Sequence, residues 1–90
     1  MNPYDGTRRE RARLNVLQAL VDLGAHSEET AVGTKDVDHV VGDLSRYAAT
    51  SNKTIMQTLL RDNLIKIDFS ASALRMWLTP QGGNYLDNED

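Results

Sequence analysis

The 90-residue chain has no cysteine, only two prolines and few aromatics: one Trp, three Tyr and one Phe. Without cysteine, disulfides, Cys-ligated zinc and thiol catalysis are excluded. No apolar run is long enough to span a bilayer, and the start MNPYDGTRRERAR lacks the apolar segment of a signal peptide. A cytoplasmic protein with no membrane partner is therefore expected. A glycine-rich phosphate loop is missing too, as is any set of residues with metal-ligand spacing. His26 falls among Ser27, Glu28 and Glu29 in a polar stretch that reads as a solvated loop. His39 falls among Asp36, Asp38 and Asp43, with no nucleophile or oxyanion donor near it. No enzyme, cofactor or metal is expected.

What is present is ordinary for a globular chain, with 40% apolar and 26% charged residues, enough for one domain with a modest core. The expected division is a flexible start at 1–6, a domain over 7–87 and an acidic tail at 88–90. Net charge is −3, which weighs against a polyanionic partner, but the charges are unevenly spread. Residues 22–43 hold six acids against Lys35. Residues 44–80 hold Arg46, Lys53, Arg61, Lys66 and Arg75 against Asp62 and Asp68. A basic segment thus sits in the second half of an acidic chain.

Periodicity predicts a first helix from about Thr7 to Leu23, stopping at Gly24. Leu14, Leu17, Leu20 and Val21 fill one side, and Ala12, Val16, Ala19 and Leu23 widen the apolar arc past a half-turn. Such a helix is either central in its own domain or shared with a partner. Residues 24–34 read as a loop. Thr34 is the expected cap of a second helix, with Val37, Val40, Val41 and Leu44 on one stripe. A third helix carries Ile55 and Leu59 on one side and Lys53, Thr54, Gln57 and Arg61 on the other. It ends at Asn63, a residue that tolerates a left-handed backbone.

Two period-two runs follow, LIKIDF and LRMWLT, joined by SASA: a hairpin that must lie on the helices to be stable. Thr79 then suits an N-cap and Pro80 a first helical position, so a short last helix carries Tyr85 and Leu86. The expected class is α+β.

The order of three helices, a two-stranded hairpin and a short helix resembles the winged helix-turn-helix family of DNA-binding transcription regulators. LTPQGGNYL, Leu78 to Leu86, is similar to the run by which MarR-like and PadR-like members leave the wing. NLI, Asn63 to Ile65, is similar to the segment joining recognition helix to wing. The resemblance covers about residues 34–87 and implies a winged helix that binds double-stranded DNA. Two registers stay open for the helix-turn-helix, with the turn near Ala48–Thr50 or at Gly42–Ser45.

In either register Lys53, Thr54 and Gln57 face outward, and a helix presenting them fits the major groove. Arg46, Thr50, Arg61, Lys66 and Arg75 complete the expected DNA-binding set, the cations meeting phosphates. A homodimer through the first helix is expected, with Val16, Leu20 and Leu23 at its interface. The alternative is a winged-helix module that binds a partner protein through Trp77 and the first helix, without reading DNA.

Overall fold

The computed structural model describes residues 3–42, 51–70 and 74–88. Among them are four α-helices and three strands: α1 (Pro3–Asp22), β1 (Val32–Gly33), α2 (Thr34–Val41), α3 (Asn52–Arg61), β2 (Ile65–Asp68), β3 (Arg75–Leu78) and α4 (Pro80–Asp87). The protein is α+β, with a small antiparallel sheet in the order β1-β3-β2.

The wide apolar arc of α1 has its explanation inside the chain. This helix touches α2, α3, α4 and β3, so nearly every side of it is covered. Ala12, Val16, Leu17 and Leu20 are fully buried. Val16 and Leu20, expected at a dimer interface, instead fill the chain's own core, because the four neighbouring elements close over them. Leu23, just past the helix end, is 36% exposed. Gly24 follows with φ +72, the left-handed conformation that stops α1.

The stretch expected to be a loop contains two short elements. Glu28–Thr30 form a 3-10 turn in which the Thr30 hydroxyl accepts from the backbone N–H groups of His26 and Ser27. Val32 and Gly33 then pair with Met76 and Arg75, adding a third strand to the hairpin. Two residues are too few for an alternating pattern to reveal.

Gly33, not Thr34, is the N-cap of α2; Thr34 is helical and donates its N–H to the Leu74 carbonyl. On α2, Val37 and Val41 are buried but Val40 is 49% exposed. An eight-residue helix resting on α1 and β1 covers only the i, i+4 stripe, and Val40 lies about 100° round from Val41.

The hairpin register pairs Ile65 with Leu78, Lys66 with Trp77, Ile67 with Met76 and Asp68 with Arg75. Alternation turns Ile65, Met76 and Leu78 into the core against Leu17, Leu20, Ile55 and Leu59. Burying each such side chain contributes about 1.5–3 kcal/mol. Beyond the strands, the Leu78 N–H donates to the Ala25 carbonyl and the Thr79 N–H to the Leu64 carbonyl.

The Thr79 hydroxyl accepts from the Gly82 N–H, capping α4, and donates to the Asn63 carbonyl, tying α4 to the end of α3. Pro80 occupies the first turn, as expected. Gly82 is required by proximity. A Cβ there would stand 2.1 Å from the Leu64 carbonyl oxygen, which no side chain tolerates.

Candidate nucleic-acid interface

The start of α3 is built by two side chains. Ser51, in extended conformation, accepts a hydrogen bond from the Thr54 N–H at 3.2 Å, satisfying one of the unpaired amides of the first turn. The Asn52 amide donates to the Gly42 carbonyl at 2.8 Å and to Asp38 Oδ1 at 3.1 Å, holding the start of α3 against the end of α2. Because Ser51 is the N-cap and α3 begins at Asn52, the register with its turn at Gly42–Ser45, which needs an earlier helix start, does not hold. The expected turn at Ala48–Thr50, with Arg46 and Thr50, lies outside the described residues.

One face of α3 is anchored and the other is open. Ile55, Met56 and Leu59 are buried, while Lys53, Thr54, Gln57 and Arg61 are exposed. The Thr54 hydroxyl shares a hydrogen bond with that of Ser51. The Arg61 side chain is 74% exposed and approaches Asp62 at 3.6 Å, a contact worth little in water. Lys53 makes no ion pair among the described residues. After α3, Asn63 takes φ +62, the left-handed conformation expected of it.

Lys66 and Arg75 are also exposed, but the hairpin does not set them beside Lys53 and Gln57. By alternation they share the sheet's outer face with Asp68 and Trp77, whereas the hairpin residues that line one hollow with Lys53 and Gln57 are Ile67, Phe69 and Leu74. Arg75 stands directly opposite Asp68. The Asp68 carboxyl is held below its ordinary value of 3.8, chiefly because it accepts hydrogen bonds from the Ser70 hydroxyl and N–H, with a smaller pull from Arg75.

Trp77 is half-buried and lines a shallow hollow of about 360 Å³ with His26, Asn63, Lys66, Pro80 and Gln81. Tyr85 turns instead to α1, where its hydroxyl donates to Glu10 and its ring lies 5.6 Å from the Arg13 guanidinium.

Periodicity did not reveal the groove beside α3. Met56, Leu60, Ile67, Phe69 and Leu74 line a space of about 430 Å³, bordered by Thr34, Asp38, Lys53 and Gln57. Alternation along LIKIDF sets Phe69 on the same side as Ile65 and Ile67, but β2 ends at Asp68 and Phe69 is 65% exposed.

Among the described residues no three His, Cys, Asp or Glu side chains gather to hold a metal ion, and no helix is long and apolar enough to cross a membrane. The chain matches no family model, no curated protein and no solved structure.

Proposed function

We propose that the chain is a winged-helix domain that binds double-stranded DNA, placing α3 in the major groove, and that it acts as a small cytoplasmic transcription regulator. The observation that carries this reading is the division of α3. Its buried side fixes the helix on the core, and its other side leaves Lys53, Thr54 and Gln57 exposed within about one turn. The order of three helices before the hairpin, in a sheet whose central strand is β3, fits the winged-helix arrangement. Gln57 then suits a base edge and Lys53 a phosphate or a guanine, with Arg61 on the backbone. Lys66 and Arg75, on the outer sheet face, contribute to the field rather than to base readout.

Binding isotherms against duplexes selected from random sequence test this. Gln57→Ala should relax preference at one base pair by about 1–3 kcal/mol. Lys53→Ala should weaken all duplexes and flatten the salt slope by about one phosphate contact. If both variants melt normally and bind every duplex as the parent does, α3 is not the reader. The second reading, a protein-binding module, then takes over. It is favoured by the apolar groove beside α3, which no phosphate would cover.

A further inference from the structure

Two charges in this fold stand at the wrong ends of their helices. Asp22 closes α1, whose last turn has no basic residue, so the carboxylate faces the negative end of the helix dipole. Lys53 opens α3, whose first turn has no acid, so the ammonium faces the positive end. Neither makes an ion pair among the described residues; Asp22 only accepts from the neutral Gln18 amide. Each charge lies next to exposed apolar surface. Val21 and Leu23 flank Asp22 at 47% and 36% exposure. Phe69 and Leu74, with Met56 and Leu60, line the groove whose rim carries Lys53.

The two surfaces are complementary, and among the described residues both stay uncovered. We propose that they meet in trans: the end of α1 of a second copy, Val21-Asp22-Leu23, docks on the groove between α3 and the hairpin. Val21 covers Phe69 and Leu74, and Asp22, about 100° round the helix from it, pairs with Lys53 at the positive end of the α3 dipole. Both misplaced charges are thereby compensated, which explains their positions. Asp38, the other charge on the rim, accepts from the neutral Asn52 amide and keeps its charge, so the incoming carboxylate must seat on the Lys53 side of the groove. A nucleic acid would satisfy Lys53 but leave the apolar wall wet, so the second copy accounts for more of the surface. Because Lys53 and Gln57 border the groove, self-association and DNA binding would compete. The association itself does not depend on the DNA reading.

Sedimentation of the full chain without DNA, from micromolar to millimolar concentration and at two salt levels, tests the proposal. The parent should associate with rising concentration, less so at high salt. Asp22→Lys and Lys53→Asp should each weaken association about tenfold or more, and the two reversals combined should restore most of it. Phe69→Ser, at a residue 65% exposed, should weaken association without removing its salt dependence. Melting curves verify that each variant is folded. A chain monomeric at every concentration overturns the proposal, as does association indifferent to the single reversals, or a double reversal no better than either single.

Discussion

Arg13 Nη2 lies 2.8 Å from Asp62 Oδ2, joining the middle of α1 to the residue that ends α3. An aspartate at a helix C-terminus opposes the dipole, and the guanidinium relieves it. The Arg13 side chain is 15% exposed, against 40% for Asp62, so this contact is screened less than a surface pair. The same guanidinium lies over Tyr85 of α4, so one cation ties three helices. Its Nε is buried and finds no partner among the described residues, which offsets part of the gain.

Arg13→Ala should therefore destabilise the fold by roughly 2 kcal/mol, and Asp62→Asn by about 1 kcal/mol. A double-mutant cycle in urea should give a coupling of about 1 kcal/mol. Arg13→Lys should recover little, since an ammonium lacks the fork that reaches Asp62 while covering Tyr85. Additive effects of the two substitutions would show that the pair is only a neighbourhood.

The adjacent glycines of α4 should respond with opposite signs. Gly82→Ala drives a Cβ into the Leu64 carbonyl and the Leu78 side chain and should cost about 3 kcal/mol or more. Gly83→Ala meets only Leu78 Cδ2, at 3.9 Å, and should stabilise by about 0.5–1 kcal/mol through helix propensity. Thermal melts of the two variants decide it; a shift of the same sign in both would contradict the packing at the Leu64–Gly82 contact.

Val16 offers a test of whether α1 is interior or interfacial. It is fully buried within one chain, so Val16→Glu should cost more than about 4 kcal/mol and abolish the folded state. A folded, monomeric Val16→Glu variant would return the residue to an interface. Circular dichroism of the purified variant distinguishes these outcomes. Leu23→Ala, at a partly exposed site, should change stability by about 1 kcal/mol at most.

The Asp68 carboxyl titrates below 3.8 in the folded protein because Ser70 donates to it twice. A depressed folded pKa means that the stabilising contribution is present above the unfolded pKa and is lost as pH falls through the folded one. Ser70→Ala removes the hydroxyl donor and should move the Asp68 titration upward toward 3.8. Carbon-detected NMR titration of the carboxylate reads this directly. An unmoved Asp68 would assign the depression to the Ser70 N–H, which the variant keeps, and to Arg75.

Local chemistry was legible along the chain wherever a residue acts on its own backbone. Thr79 caps α4, Pro80 follows it, Asn63 turns left-handed and Gly24 stops α1, each as residue type alone implies. Periodicity located three of the helices and both hairpin strands, because one buried face per element leaves a regular trace. It could not say what covers a face. The apolar arc of α1 reads the same whether four elements of one chain or a second chain lie on it, and only tertiary packing assigned Val16 and Leu20 to the interior. The third strand was hidden because Val32 and Gly33 are a strand only by pairing with β3. The groove beside α3 was hidden for a related reason. Its wall joins residues from α3 and both hairpin arms, and exposure at Phe69 depends on where β2 ends rather than on its neighbours in sequence. Residue type fixes what each backbone segment can do; which surfaces are left over is a property of the assembled elements.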